Sequence, residues 1–272
     1  MSINLSSAAS AQFDAEVKHA FQTAGKLRNG VRLRTGVVGD TYNFRTMGKG
    51  LANQKASQTD VTPMDITHTK VPVTLENWVA GEYTDIFDAA EVNFDERREL
   101  ATTIAGAMGR RADQLIIDAM SAGDTIAHGS AGLTIAKLTQ AAEALNDNGV
   151  PMSDRFIVVS PAAITDLLNE EKATSADYAT VRALQSGEIN TYMGFNFIMM
   201  ETRSEGGLAV ASNIRDCFAF HKSSVGCAIG LDISTEVNYI PEKTSWLSLG
   251  KYKAGAGTID SDGIVKVQVS EA

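Results

Sequence analysis

Apolar residues recur every three or four positions along one stretch of the chain, at Ala101, Ile104, Ala105, Met108, Ala112, Leu115 and Ala119. That spacing places them on one helical face. Upstream, Asn93 followed by Glu96 fits a capping box, and Asp95 and Glu96 sit where a helix dipole is positive. Gly123 suits the stop. The pattern predicts a helix over 94–121, which at the standard rise would run roughly 40 Å. Its face is mostly alanine, so something broad and flat such as a sheet could lie close against it. Gly106 and Gly109 lower its intrinsic propensity, so it needs tertiary support. Such a helix reads as a structural beam more than a catalytic platform.

Other periods surround this beam. Phe13, Val17, Ala20, Phe21 and Ala24 make one stripe of a short helix inside a small, polar N-terminal arm, residues 1–30. Residues 31–44 and 61–75 alternate like strands, with Thr67, Thr69, Val71, Val73 and Leu75 on one face. Polar, turn-rich sequence separates the two, so 31–75 reads as a long hairpin with few large apolar residues. An isolated hairpin is marginal in water. The pattern therefore predicts a hairpin that buries its thin face along another molecule, with a mobile surface loop as the alternative.

After the beam, Thr134 caps a helix whose buried face is Leu138, Ala141, Ala142 and Leu145, and Asn148-Gly149 ends it. Arg155 to Pro161 reads as a buried strand, followed by a helix through Ile164, Leu167 and Leu168. A further short helix carries Tyr178, Val181 and Leu184, and residues 194–202 read as a strand. From Leu208 onward the pattern is of short strands and turns, ending in a hairpin whose second strand is Ile264 to Val269. Helices and strands mix without regular alternation, which gives an α+β fold.

Composition adds bounds. The chain has 272 residues, 44% hydrophobic and 21% charged, as in ordinary soluble globular proteins. No apolar run approaches the ~20 residues of a membrane span, and Met1 to Ser10 has no signal-peptide pattern, which places synthesis and folding in a cytoplasm. The net charge of −9 hides an asymmetry. Residues 1–60 hold eight Lys/Arg against four Asp/Glu, and the remainder sixteen against twenty-nine. A basic first fifth on an acidic body suits contact with an acidic surface, such as another copy of the chain. A nucleic-acid reader fits less well, because the body would repel phosphate.

A search for chemistry returns little. His19, His68, His128 and His221 share no metal-ligand spacing. Gly48-Lys49-Gly50 lacks the rest of a phosphate loop, and Gly255-Ala256-Gly257 opens no helix and reads as a turn. Asp260 to Gly263 lacks the further oxygen ligands of a calcium loop and reads as a hairpin turn. Cys217 and Cys227 lie in apolar, strand-like sequence, which suits buried free thiols; a disulfide stays possible. The pairs Arg97-Arg98 and Arg110-Arg111 are expected on the solvated side of the beam, either in salt bridges or against acidic neighbours. No catalytic, cofactor-binding or metal-binding residues are expected.

The order of these parts resembles the major capsid proteins of tailed bacteriophages, the coat fold named after phage Hong Kong 97. The resemblance implies an N-terminal arm at 1–30 and an extended hairpin, the E-loop, at 31–75. It implies a peripheral domain at 76–123 and 236–272 with spine helix 94–121, and an axial domain at 124–235. It further implies a coat subunit that self-assembles through hexamers and pentamers into an icosahedral head enclosing double-stranded DNA, without reading its sequence. Thirty residues of arm leave no room for a fused scaffolding segment, so a separate scaffolding protein is implied, along with a portal and a decoration protein. The setting would be the virion, after assembly in a host bacterial cytoplasm, with no membrane. Under this reading the candidate contacts with neighbouring copies are Phe13, Val17 and Phe21 of the arm. Arg32, Arg34, Tyr42, Phe44, Lys49 and Lys55 join them from the hairpin, and Arg97, Arg98, Arg110 and Arg111 from the helix. The founding member's Lys–Asn cross-link is not carried over, since no partner Asn can be placed for Lys49 or Lys55. An encapsulin-type compartment shell and a soluble α+β enzyme remain as alternatives.

Overall fold

A computed structural model describes residues 25–87, 96–170 and 191–271. The first strands are β1 (Arg32–Thr35), β2 (Thr41–Met47), β3 (His68–Thr74) and β4 (Glu76–Asp85). Helix α1 (Glu96–Ala119), strand β5 (Asp124–Ile126), helix α2 (Ile135–Asp147), strand β6 (Arg155–Val159) and helix α3 (Pro161–Asn169) come next. Strands β7 (Thr191–Tyr192), β8 (Phe195–Met199), β9 (Val210–Ala211), β10 (Ile214–His221), β11 (Val225–Ile240), β12 (Ser245–Thr258) and β13 (Ile264–Ser270) complete the described elements. The expected arm helix, including Phe13, Val17 and Phe21, and the helix around Tyr178 lie outside the described residues.

Three sheets form. Strands β5-β13-β10-β6-β8-β7 run in that order through a seven-stranded sheet, with β9 beside β10. Its middle strands are apolar on both faces: Cys217 to Phe220 and Ile157 to Val159 are buried without a break, as central strands covered on both sides require. Helix α2 contributes Leu138, Ala141 and Leu145 to this core, and α3 contributes Ala163 and Leu167. Thr134 caps α2 by accepting from the Lys137 amide, and Ser160 caps α3 by accepting from the Ala163 amide at 3.1 Å. The second sheet has the order β1-β11-β12-β4, and the third is the β2-β3 hairpin alone.

The beam lies on the second sheet, chiefly against β12 and β11. Ile104 of α1 sits directly on Gly250 of β12, where a side chain could not fit. The buried face of α1 begins as expected at Ile104, Met108 and Ala112, then continues through Ile116, Ile117 and Met120. Leu115 and Ala119 are only half-buried. The helix ends in a tight turn at Met120–Ala122, and Gly123 is extended (φ −79°) and not left-handed. Its lack of a side chain instead admits the Ile264 backbone.

Several expectations from the pattern need correction. Residues 31–44 are not one strand: β1 runs parallel to β11 in the body, and only after the turn at Gly36 to Asp40 does β2 begin the hairpin. The region after Leu208 holds two long strands, β11 of 16 residues and β12 of 14, paired from Val225–Thr258 to Ile240–Ser245. Gly255-Ala256-Gly257 lies inside β12 and not in a turn. Residues 260–263 are a corner between sheets and not a hairpin turn, because β12 pairs with β11 and β4 while β13 pairs with β10 and β5. The closing strand β13 thus sits deep in the seven-stranded sheet, beside β10.

Candidate assembly surface

The hairpin is rooted by glycines. Phe44 of β2 lies over Gly226, where a Cβ would stand 2.7 Å from the ring, and Val73 of β3 lies the same distance from one at Gly257. The Thr74 carbonyl presses on Gly255 more closely still. With Leu75, Ala228 and Ile259 these residues form a small second core, separate from the main one. Tyr42 meets Phe44 edge to face, with ring centroids 4.9 Å apart, and the Arg32 guanidinium stands 5.8 Å from the Phe44 centroid. At the turn leading into β2, Lys253 donates to Asp40 at 2.6 Å and holds its carboxyl below the usual range. The Leu75 amide donates to the Asp40 carbonyl at 2.8 Å.

Beyond this root the hairpin changes character. Residues 48–67 form no helix or strand. They expose Leu51 (80%), Val61 (74%) and Met64, and Met47 at the end of β2 is exposed as well. Lys49 Nζ reaches the Asn148 carbonyl at 3.1 Å. Ordinary surfaces carry single apolar residues, whereas Met47, Leu51, Val61 and Met64 all fall on this one hairpin.

A second exposed apolar group lies on the distal half of the β4-β12-β11 ribbon: Val79, Tyr83 and Phe87 (72%) on and after β4, and Leu231, Val237 and Tyr239 on β11. Among the described residues β4 pairs only with β12, and β1 covers β11 only at Gly226 to Ile229. Both long edges of this half are therefore open, and open edges invite strand pairing with another chain. The hairpin stretch is basic and β4 carries Glu76, Glu82 and Asp85 with no basic residue.

The start of the described chain is pinned to the body. Arg28 forms a two-point pair with Asp232, at 2.8 and 2.6 Å, which pulls the Asp232 carboxyl down. Asp113, in the middle of α1, is fully buried and accepts the Lys26 and Leu27 amides and Arg203 Nη2, all at 3.0 Å. Burial nevertheless raises its pKa, and these donors only partly offset that.

Of the residues expected at contacts, Arg32, Arg34, Lys49 and Lys55 are exposed, Tyr42 is half-buried, and Phe44 (3% exposed) is spent on its own chain. Arg111 is not on a solvated face. It stacks over Trp78 at 3.6 Å from the ring centroid, with Glu205 3.9 Å away. Arg110 is half-buried, and Arg97 and Arg98 lie in α1 with side chains outside the described residues. Asp113, Trp78 and the glycines under the hairpin escaped the sequence reading. Gly255 and Gly257 could have been found from their alternation within a strand-like run, whereas one aspartate in a charged helix carries no such signal.

The remaining chemistry is structural. His128 Nδ1 accepts the Ser130 amide, and His221 pairs with Ser223. Cys217 and Cys227 are buried free thiols, pushed up by burial to about 12 and about 11. Among the described residues no group of His, Cys, Asp and Glu is arranged to hold a metal ion, and no helix is long and apolar enough to cross a membrane. A cavity of about 320 Å³ is lined by Gln114, Thr202, Arg203, Leu208, Val210 and Arg215. Both of its arginines already bind protein, Arg203 to Asp113 and Arg215 to Glu271.

A family model described as phage capsid protein matches residues 5–271. The major capsid protein of Escherichia phage T7 is 24% identical over 231 residues, covering 73% of this chain and 67% of the relative. The minor capsid protein of the same phage shows the same identity, with 58% of its own length covered. Among solved structures, the head of Helicobacter pylori bacteriophage KHP40 matches with a TM-score of 0.79 at 10% identity, covering 100% of this chain and 98% of the other. The capsid of Cyanophage P-SCSP1u matches at 0.73 and 17% identity, covering 96% and 93%. At these identities the structural likeness shows the fold.

Proposed function

The chain belongs to the phage capsid protein family, and from that premise we propose that it is the major coat subunit of a tailed-phage head. Copies of it assemble through hexamers and pentamers into an icosahedral shell of the Hong Kong 97 type. The observation that carries the reading is the division within the hairpin. Its root is packed on Gly226, Gly255 and Gly257 of its own chain, while Met47, Leu51, Val61 and Met64 beyond it are exposed. A packed root holds the base of the exposed half in place, and preorganisation of this kind lowers the entropy lost on association. The open ribbon edges and the acidic β4 offer a neighbouring copy the complementary surface.

The role is structural, with shape and surface in place of catalysis. The acidic body of a chain whose net charge is −9 would not adhere to packaged double-stranded DNA, which suits a container. Assembly in a host bacterial cytoplasm would draw on a separate scaffolding protein and a portal, with a decoration protein on the finished head. The test is expression of the chain alone and with the neighbouring phage genes, followed by electron microscopy. Closed shells or capsomers are the expected result. A chain that stays monomeric under every condition contradicts the reading.

A further inference from the structure

Two stretches far apart in sequence cross α1 at the same turn, residues 109–114. At Gly25, a Cβ would stand 2.8 Å from the Gly109 carbonyl oxygen. At Gly206 (φ +66°) the chain lies against the Arg110 carbonyl, again without room for a side chain. Glycine is required at both crossings by close approach, and at Gly206 by backbone conformation as well.

Donors from both stretches meet on one carboxylate. Asp113 Oδ1 accepts the amides of Lys26 and Leu27, each at 3.0 Å, and Oδ2 accepts the Lys26 amide and Arg203 Nη2, also at 3.0 Å. Gln114 Oε1 next to it accepts the Gly206 amide at 2.8 Å, and Arg203 Nε donates to the Gly206 carbonyl at 2.9 Å. Glu201 adds a parallel link, meeting Lys26 Nζ at 3.3 Å and Arg203 Nη1 at 3.5 Å.

We propose that Asp113 is a shared anchor that couples the root of the N-terminal segment, residues 25–28, to the 201–208 stretch, so that the two loosen together. The argument is one of compensation. A fully buried carboxylate is held in place by all its donors jointly, and losing one leaves the charge under-compensated for the rest. Arg203 belongs to one stretch and the Lys26 and Leu27 amides to the other, so weakening either side weakens the common acceptor. Residues 25–28 are thus held at a point whose firmness depends on a segment more than 170 positions away.

Amide hydrogen exchange on the full chain tests this, because coupling requires an effect at the site that was not changed. In Arg203→Met, the Leu27 amide should exchange about tenfold faster, within the range of ordinary coupling energies. In Gly25→Ala, the Gly206 amide should quicken likewise, while residues 155–159 keep their protection in both variants. Arg203→Lys, which keeps the charge, should bring Leu27 back toward wild type. If Arg203→Met quickens exchange only in its own stretch and leaves Leu27 within about twofold of wild type, the anchor is not shared and the proposal fails. Should Arg203→Met not fold, the Gly25→Ala arm decides: faster exchange at the Gly206 amide supports the coupling, and exchange there within about twofold of wild type overturns it.

Discussion

The seven-stranded sheet and the hairpin handle apolar side chains in opposite ways. In the sheet, Cys217 to Phe220 of β10 are buried between β13 and β6 and covered by helices. In the hairpin, burial stops at Phe44, Val73 and Leu75, and from Met47 onward the large apolar residues face outward. Under the proposed coat role, the contrast separates what this chain finishes alone from what it would leave for a neighbour. The sheet's core is complete within the chain, while the rooted hairpin keeps apolar residues exposed.

Substitutions on the two sides of this division should differ in size and in kind. Phe220→Ala, in the complete core, should cost ~3–5 kcal/mol of monomer stability, read as a lowered midpoint in urea. A loss below ~1 kcal/mol would mean that the core does not carry the body. Gly257→Val forces a side chain into the space held by Val73. It should cost ~1–3 kcal/mol through overpacking and release the hairpin root, with faster amide exchange in β2 and β3. If β2 and β3 kept their exchange rates, the glycines would not be the root.

The smallest effect concerns pH. Asp232 is held below its ordinary value of 3.8 by Arg28. The pair therefore stabilises the folded chain above pH 3.8, and that contribution is lost as pH falls through the lower folded value. Both groups are partly exposed, so the gain is well under ~1 kcal/mol. Thermal melts should show Asp232→Asn slightly less stable than wild type at neutral pH, with the gap closing in acid. A gap that persists unchanged at pH ~2 would break the assignment to this pair. Asp113 runs the other way: burial raises its pKa, so its ionisation costs stability as pH climbs from 3.8.

What the sequence revealed follows the same division. The beam was legible because Ile104, Met108 and Ala112 repeat at a helical period that no strand imitates. The cap at Thr134 and the buried run at Ile157 to Val159 are likewise local signals. The length of β11 and β12 was hidden because glycines at 230, 250, 255 and 257 interrupt their alternation. Those glycines answer to other elements: Gly250 to Ile104 of α1, and Gly255 and Gly257 to β3. Arg111 looked solvated because its partner Trp78 lies 33 residues away in a strand. Tertiary contact decided each of these cases, and only the alternation of Gly255 and Gly257 leaves a local trace of it.

The central claim is that the far half of the hairpin does its burial on another copy of the chain. Deleting residues 48–59 tests this most directly, with a urea melt of the monomer and electron microscopy of the assembled product read side by side. The expected result is a melt within ~0.5 kcal/mol of wild type, as for surface changes away from the core, together with loss of closed shells. Normal shells from the shortened chain, or a body that no longer folds, would contradict the account.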